Sequence, residues 1–450
     1  MHYRQYYCNN ADCEKQTYQY MLVGLFYSFL ALILALNIQD LIPFFKFSRH
    51  FRNILTGVTA FATLICLIGY LICCMFRERI PVMKLEKMSL KAKWYAWQIR
   101  RLFNLKTIAD ILHFENKTRY GLALPVIEVY VNSSCNDGFV AIENMQNVAN
   151  LGNSKMIQDL SGVLVGRNLQ RFAFTSSELS QDGNFYIFYF EDVTTSQRLI
   201  INNNADFKKY ICKNPSDLRL ARNLIWHSAS GNLSIIGNTR SGKTVFSSYL
   251  LNMMKIQGWK IYYYSVKGDI YVQKYHGESE PVKIVEALEK MVVIMHKRNA
   301  EIKKSGKTKY FEMNNMPNIA IVLDEISILN DYLSGSEKPI KELRERFNKA
   351  ISAIVAGGLS SGIHFIGISQ YGTKEGYLIP KARANVKDNS IILGLAADSA
   401  DDRKYLMAGF DIPHRNYLTG QGLARLVSSG KMWEQPHFYE TPVIKKYLKK

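Results

Sequence analysis

One short motif constrains the fold of this chain more than any other feature. Residues 231–244 read GNLSIIGNTRSGKT, in which an apolar run ends in the pattern G-x-x-x-x-G-K-T. The fixed positions are Gly237, Gly242, Lys243 and Thr244. Glycines at this spacing let successive backbone N–H groups turn inward around an anion. The pattern therefore predicts a phosphate-binding loop that joins a strand to a helix.

The sequence on either side of the motif strengthens this prediction. Residues 233–236 are a strand-like run, and residues 245–254 are a helix-like one. Such a helix directs its positive N-terminal end toward the same anion. An ordinary glycine turn would lack this context, so we expect the loop to bind ATP. Lys243 is predicted to reach the β- and γ-phosphates, and the Thr244 hydroxyl to bind Mg²⁺. The predicted nucleotide-binding residues are Gly237, Asn238, Thr239, Arg240, Ser241, Gly242, Lys243 and Thr244.

A second apolar run ends in two carboxylates. Residues 319–323 read IAIVL and are followed by Asp324 and Glu325. Buried parallel strands have such continuous apolar runs, and a carboxylate pair at the end suits magnesium binding and water activation. We expect Asp324 to hold Mg²⁺, through water or the Thr244 hydroxyl, and Glu325 to act as the general base. A strand followed by an acidic helix cap is the alternative, and the upstream phosphate loop argues against it.

Further strands and helices alternate along this half of the chain. Residues 363–368 form an apolar run that ends in Ser369 and Gln370. Polar residues at the carboxyl ends of parallel strands face the ligand crevice, so Gln370 is predicted to sense the γ-phosphate or to orient water. The remaining predicted strands are 261–267 and 391–395, and the predicted helices include 282–297 and 340–356. This alternation predicts an α/β core with a mainly parallel sheet.

The charge and the cysteines limit the kinds of partner. The chain has 57 Lys and Arg against 38 Asp and Glu, a net charge of +19. This excess favours a polyanionic partner, either nucleic acid or an anionic membrane surface, although basic flanks of a membrane protein account for part of it. The seven cysteines are scattered without a matching ligand pattern, so neither a zinc site nor a disulfide framework is expected.

Two uncharged apolar runs lie near the N-terminus. They cover residues 21–38 and 54–76, which are 18 and 23 residues long. A helix rises about 1.5 Å per residue, so the second run is long enough to span a membrane and the first is just long enough. A buried core helix is the alternative for the first run alone. Their close spacing favours a transmembrane hairpin.

The segment after the second run indicates the orientation. Residues 77–110 hold nine Lys and Arg against three acids, and such charge next to a span marks the cytoplasmic side. Lys46, Arg49 and Arg52 in the connecting loop make the asymmetry imperfect, but an ATP site must be cytoplasmic. Two interpretations of the aromatic residues in this segment are equally supported. They lie in the lipid headgroup layer, or they belong to a solvated amphipathic helix. These residues are Trp94, Tyr95 and Trp97.

These patterns divide the chain into five predicted parts. A cytoplasmic tail covers residues 1–20, and the transmembrane hairpin covers 21–76. A basic juxtamembrane segment (77–117) and an accessory α+β region (118–214) follow, and the ATPase domain covers 215–450. Short β-branched and aromatic runs at 126–131, 185–190 and 198–201 support strands in the accessory region. It contains no catalytic constellation, and His113 is isolated. Residues 214–226 are predicted to be mixed helical and to lead into the ATPase core.

The ordered motifs resemble those of the FtsK/SpoIIIE-type DNA translocases. The resemblance covers roughly residues 215–440, and the G-I-H of the fourth motif is its most specific element. In chain order the motifs are GNTRSGKT, Ser265-Val-Lys267, IVLDE, SSGIHFIGISQ, Arg383-Ala-Asn385, Asp402-Arg403 and Leu418-Thr-Gly-Gln-Gly422. Two departures stand out. Ser265 replaces the aspartate of the usual D-P-K, and Arg240 stands where glycine is usual.

The resemblance implies a RecA-like P-loop ATPase that forms homo-hexamers and moves DNA through sequence-independent phosphate contacts. A neighbouring subunit would insert an arginine to stabilise charge on the transferred phosphoryl group. Arg383 and Arg403 are the candidates by their motif positions, and a surface or DNA-facing arginine is the alternative for each. The catalytic residues expected are Glu325, Lys243, Gln370, Arg383 and Arg403, and the metal ligands are Thr244 and Asp324.

Two spans, a basic segment and a single motor resemble the membrane-anchored coupling proteins of Gram-positive conjugative elements. This implies delivery of DNA to a conjugative transfer channel, with relaxase and conjugation-channel proteins as partners and the motor domain in the cytoplasm. A septal DNA segregation motor is a rival, but few residues follow the last motif and no winged-helix domain is expected. A protein-secretion ATPase is a second rival, although those usually carry several motor domains. The intact motifs argue against a non-hydrolysing scaffold.

Overall fold

The computed structural model describes most of the chain. The described residues are 10–37, 48–75, 83, 85–103, 105, 116–118, 121–123, 125–144, 154–161, 163–165 and 169–445. His113, Ile38 and Phe76 lie outside them, as does most of the loop between the two apolar runs. The chain forms two compact units. The first consists of Met1–Leu169 and Leu179–Tyr189, and the second of Gln170–Glu178 and Phe190–Lys450.

The described helices of the first unit begin with two long apolar ones. They are α1 (Asn10–Leu36), α2 (Arg49–Met75), α3 (Leu90–Phe103) and α4 (Ser154–Ser161). α1 packs along α2. Within α2, Arg49–Ile72 contains an 18-residue window with a mean hydropathy of 2.1, none of which is buried, so this helix is long and apolar enough to cross a membrane. The apolar part of α1, Tyr20–Leu36, is shorter. By length and composition, the described residues thus contain one helix that meets the requirement for a span.

Short strands make up much of the accessory region. They are β1 (Asn116–Thr118), β2 (Gly121–Ala123), β3 (Ile127–Val131), β4 (Asp137–Glu143), β5 (Phe172–Leu179) and β6 (Phe185–Asp192). β1 pairs with β2, and the other four form a sheet in the order β3-β4-β6-β5. Burial alternates along β3, as expected for a strand with one face covered. The predicted β character of this region is confirmed.

The second unit is built around one seven-stranded sheet. Its strands are β7 (Ile200–Ile201), β8 (Asp217–Ala221), β9 (Leu224–His227), β10 (Leu233–Gly237), β11 (Lys260–Ser265), β12 (Ile319–Asp324), β13 (Ile363–Ser369), β14 (Asn389–Leu393), β15 (Gln421–Leu426), β16 (His437–Glu440) and β17 (Val443–Ile444). The large sheet has the order β11-β12-β13-β10-β14-β15-β16. Its first five strands are parallel, and β15 and β16 are antiparallel. The predicted mainly parallel sheet is confirmed.

Helices cover both faces of this sheet, which explains the continuous apolar runs of its strands. They are α5 (Lys243–Ile256), α6 (Ile270–Lys274), α7 (Pro281–Lys304), α8 (Ile326–Leu333), α9 (Lys338–Gly357), α10 (Pro380–Arg383), α11 (Leu395–Asp398) and α12 (Ala400–Arg403). All residues of β10 and β13 are buried. One core cluster joins the sheet to α7 and α9, and a second joins it to α5 and the β8–β9 hairpin.

The prediction of a mixed helical segment at 214–226 is wrong, because these residues form the antiparallel pair β8–β9. Leu218, Leu220, Leu224 and Trp226 are each fully buried. Buried residues thus recur at every second position on both sides of the turn, which is the period of a strand.

Candidate functional site

The phosphate-binding loop lies between β10 and α5, as the motif predicts. Gly242 has φ +99°, and α5 begins at the next residue, Lys243. A Cβ at Gly242 would lie 3.0 Å from the Gly420 nitrogen, so the position requires glycine for its backbone angle and for its close neighbour. A Cβ at Gly237 would lie 2.5 Å from Ser241 Oγ. The close neighbours therefore explain why both motif positions are occupied by glycine.

Arg240 has an unusual backbone conformation for a non-glycine residue. Its φ is +65°, in the left-handed region, where glycine is strongly favoured. This explains why glycine is the usual residue here in the resembling family. The Arg240 carbonyl accepts a hydrogen bond of 3.2 Å from Thr419 Oγ1, and its side chain is exposed.

The Lys243 side chain contacts the phosphate-binding loop. Its Nζ donates to the carbonyls of Gly237 and Asn238, the second at 3.3 Å. Burial lowers the pKa of Lys243, and the nearby negative charges of Glu325 and Asp324 oppose this shift.

Unpaired polar atoms test whether a triphosphate fits. Ser241 Oγ and Asn238 Oδ1 are buried in the loop without a hydrogen-bond partner. A buried polar atom without a partner is rare and unfavourable, and the Ser241 hydroxyl can donate to a phosphate oxygen. The exposed Thr244 is the second residue of α5. The loop residues therefore fit a nucleoside triphosphate.

The order of the strands brings the other predicted residues to the same edge of the sheet. β13 lies between β10 and β12, so the carboxyl ends of three parallel strands are adjacent. Asp324 ends β12, Glu325 follows it, and Gln370 follows β13. This edge is where ligands bind in open α/β sheets. Among the residues described, no group of three or more His, Cys, Asp or Glu could hold a metal ion, so Mg²⁺ at Asp324 and Thr244 would also need phosphate oxygens.

Asp324 is held by two donors in a buried setting. The Tyr263 hydroxyl donates to Oδ2 at 2.5 Å, and the Glu325 N–H donates to Oδ1 at 2.7 Å. Burial raises the pKa of Asp324 to about 6, although the bond from Tyr263 opposes the shift. Tyr263 is thus a positioning residue for the expected metal ligand. Sequence reasoning missed it because it lies within a strand of three successive tyrosines.

Glu325 has both carboxylate oxygens occupied. Lys267 Nζ lies 2.5 Å from Oε1, and Gln370 Nε2 donates to Oε2 at 2.9 Å. Glu325 has φ +55° and is 8% exposed. The predicted proximity of Gln370 to the catalytic edge is therefore observed. The sequence places Lys267 at the end of a predicted strand and in the motif Ser265-Val-Lys267, but it does not indicate the ion pair with Glu325.

Ser265 occupies the position where the resembling family commonly has aspartate. Its side chain is fully buried at the end of β11, and its hydroxyl has no hydrogen-bond partner. A carboxylate here would add another buried negative charge close to Asp324, with which Ser265 is in register.

The two candidate arginines are bonded within their own chain. Arg383 is 4% exposed, and its Nε and Nη2 donate to the Leu378 carbonyl at 3.0 and 2.8 Å. Its guanidinium lies over the Tyr405 ring at 4.5 Å. Arg403 is half-buried, and its Nη1 donates to the Ala397 carbonyl at 2.6 Å. The role of either arginine in a neighbouring site stays a prediction.

A further loop supports the phosphate-binding loop from the side. The Gly420 N–H donates to the Ser241 carbonyl at 2.8 Å. Arg198 Nη2 donates to the Gly420 carbonyl at 3.2 Å, and its Nε donates to the Thr441 carbonyl at 2.9 Å. The residues 418–422 belong to a motif noted in the sequence, but no sequence signal pointed to Arg198.

Comparison with known proteins gave structural likenesses only. No family model and no curated protein matches the chain. Solved structures similar to it include the pCW3 conjugation coupling protein TcpA in its monomer form with ATPγS, at 16% identity and a TM-score of 0.48. That match covers 71% of this chain and 89% of TcpA. The similar solved structures thus include a conjugation coupling protein, the group that the apolar runs, the basic segment and the single motor of this sequence resemble.

Two other similar structures come from different systems. The cytoplasmic domain of the type VII secretion ATPase EccC from Thermomonospora curvata has 15% identity and a TM-score of 0.39, over 55% of this chain and 29% of EccC. The genome packaging NTPase B204 from Sulfolobus turreted icosahedral virus 2, in complex with AMPPCP, has 14% identity and a TM-score of 0.29, over 48% of this chain and 98% of B204.

Proposed function

We propose that the chain is a membrane-anchored, ATP-driven DNA translocase that acts as a coupling protein for a conjugative transfer channel. One observation carries the ATPase assignment. Lys243, the Asp324–Glu325 pair and Gln370 are far apart in sequence but follow three adjacent parallel strands of one sheet, β10, β12 and β13. This is the set of groups that phosphoryl transfer to water needs.

Each residue has a separate role in this proposal. The loop 237–244 would hold the phosphates of ATP, and Thr244 and Asp324 would hold Mg²⁺. Bound Mg²⁺ supplies positive charge that stabilises the transferring phosphoryl group. Glu325 accepts the proton of the attacking water, and Gln370 orients that water beside the Glu325 carboxylate. Tyr263 keeps the Asp324 carboxylate in one orientation.

DNA is the proposed substrate because the motif order resembles that of DNA translocases and the net charge of +19 suits a phosphate backbone. α2 supplies a membrane span by length and composition, and we propose α1 as a second span packed against it. The motor would then work as a cytoplasmic homo-hexamer that accepts DNA from a relaxase and passes it to channel proteins. A protein-secretion ATPase is the second candidate, because the similar structures include both kinds of protein.

The first prediction tests the site and the substrate together. The full chain in detergent micelles should hydrolyse ATP, and DNA oligonucleotides should stimulate hydrolysis more at low than at high salt. Lys243→Ala should abolish ATP binding. Glu325→Gln should retain ATP binding and lower kcat by at least about 100-fold, the usual contribution of a general base.

Three results would contradict these assignments. Unchanged hydrolysis in Lys243→Ala would refute the loop assignment, and wild-type turnover in Glu325→Gln would require another base. Stimulation by an exported protein but not by DNA would favour the secretion ATPase.

A further inference from the structure

We propose that Lys267 is a positioning residue that holds Glu325 in a resting state, and that nucleic-acid phosphates release Glu325 by attracting Lys267. The proposal rests on the proposed function and names the step at which DNA would accelerate hydrolysis. It begins from the ion pair between Lys267 Nζ and Glu325 Oε1 at 2.5 Å.

The ion pair limits the ability of Glu325 to act as a base. One carboxylate oxygen accepts from the Lys267 ammonium and the other from the Gln370 amide. A water that is to lose its proton must take the place of one of these donors or share an oxygen with it. The observed arrangement is therefore a resting one.

The two ends of this ion pair differ in exposure. The Glu325 side chain is 11% exposed, whereas that of Lys267 is 51% exposed. Glu325 is fixed at the start of α8, while Lys267 lies in a turn after β11 that continues through Gly268 at φ +63°. The lysine is thus the member of the pair that can move toward solvent and meet an external anion.

The sheet order leaves Lys267 open to an external anion. β11 is the edge strand, and β12 and β13 separate it from β10, which carries the phosphate-binding loop. Three strand spacings of about 4.8 Å place β11 about 14 Å from β10. A DNA backbone can therefore approach Lys267 from the open edge of the sheet and attract it away from Glu325.

The test compares two substitutions at this position in the full chain. Lys267→Met removes the charge and keeps most of the apolar stem, and Lys267→Arg keeps the charge. Lys290→Met is a matched control, because Lys290 is an exposed lysine on α7 away from the site. Steady-state kcat and KM for ATP are measured for each variant with and without DNA oligonucleotides.

We expect Lys267→Met to raise kcat without DNA by roughly threefold to tenfold, to keep KM, and to respond little to DNA. Lys267→Arg and Lys290→Met should keep the low basal rate and the stimulation. Adding Glu325→Gln to Lys267→Met should remove the gain. A lower or unchanged basal kcat in Lys267→Met, while DNA still stimulates the wild type, would overturn the inference. Absence of DNA stimulation in the wild type would instead refute the proposed DNA motor.

Discussion

Arg240 and Glu325 share a backbone conformation that most residues avoid, with φ of +65° and +55°. One lies in the phosphate-binding loop and the other follows the last residue of β12. Each left-handed non-glycine residue is unfavourable by about 1 kcal/mol or more, and such strain tends to occur at functional sites. At the residue scale, the site thus combines strained backbone with buried charge.

Asp324 is the buried charge of the site, and its pKa leads to a prediction. Its folded pKa of about 6 is above its ordinary value of 3.8. The folded chain therefore binds a proton at a pH where the unfolded chain has lost it, and the contribution of Asp324 to stability falls as pH rises from about 4 to 6. Asp324→Asn should then raise the melting temperature of the nucleotide-free protein at pH 7.5.

The gain should correspond to about 1 kcal/mol, because the asparagine can keep only one of the two hydrogen bonds that the carboxylate accepts. The difference between variant and wild type should shrink toward pH 4. Melting curves over this pH range check the prediction. It would be contradicted if the stability difference between Asp324→Asn and wild type favoured the variant less at pH 7.5 than at pH 4.5.

Residue types could be assigned from sequence where a motif fixes the spacing. Lys243, Asp324 and Gln370 fall at the ends of apolar runs, so their strand ends could be predicted. Tyr263 and Lys267 could not, because their roles depend on β11 pairing with β12, which brings Ser265 beside Asp324. Strand pairing between segments far apart in sequence is not visible in either segment alone.

At the scale of secondary-structure elements, the sequence pattern explains why three strands were predicted correctly and why residues 214–226 were not. β10, β12 and β13 have continuous apolar runs that only a doubly covered parallel strand explains well, and their predicted positions agree with the structure. The pair β8–β9 has alternating residues with a two-residue turn, and a few alternating leucines can be mistaken for one helical face.

His364, in the G-I-H motif, acts as a link between elements and not as part of the site. Its Nδ1 lies 3.0 Å from the Ser228 carbonyl oxygen and its Nε2 lies 2.8 Å from Asn318 Oδ1. Both of these oxygens accept, so a neutral ring, which carries one N–H, donates to one of them. Burial lowers the pKa of His364 to about 3.

The lowered pKa of His364 predicts how the stability of the protein depends on pH. The folded pKa lies below the ordinary 6.5, so the stability from the neutral ring is present above pH 6.5 and is lost as pH falls toward 3. His364→Phe should destabilise the protein by about 1–3 kcal/mol at pH 7.5, since it leaves buried partners unsatisfied. When the pH falls from 7.5 to 5.5, His364→Phe should also lose less stability than the wild type does.

Unfolding followed by tryptophan fluorescence suits this test, because the Trp259 ring lies 4.9 Å from the His364 ring. ATP affinity should stay near the wild-type value. A loss of ATP binding in a folded His364→Phe protein would show that the histidine acts on the site and would refute the structural role.

At the scale of the whole molecule, the candidate arginines raise the question of assembly. Both donate to backbone carbonyls of their own chain, and Arg403 is the less buried of the two. If Arg403 completes the site of a neighbour in a ring, a chain that lacks the arginine and a chain that lacks Lys243 should complement each other.

We therefore predict that Arg403→Ala and Lys243→Ala are each inactive and that a co-assembled equal mixture regains activity. Random mixing in a ring places roughly a quarter of all sites in a productive arrangement. The readout is the ATPase rate of the co-expressed mixture, with separately purified variants as controls. No recovery in a mixture shown to contain both chains would mean that Arg403 does not act between subunits.

The contacts of Arg198 have a consequence for how such a motor would respond to force. Arg198 stands just ahead of β7, and β7 pairs with β17 near the C-terminus. Its guanidinium contacts the Gly420 carbonyl, and the Gly420 N–H in turn contacts Ser241. We expect tension applied to the polypeptide just before β7 to reach Ser241 of the phosphate-binding loop through these two hydrogen bonds. A pull on this segment should then shift the backbone that is predicted to surround the phosphates.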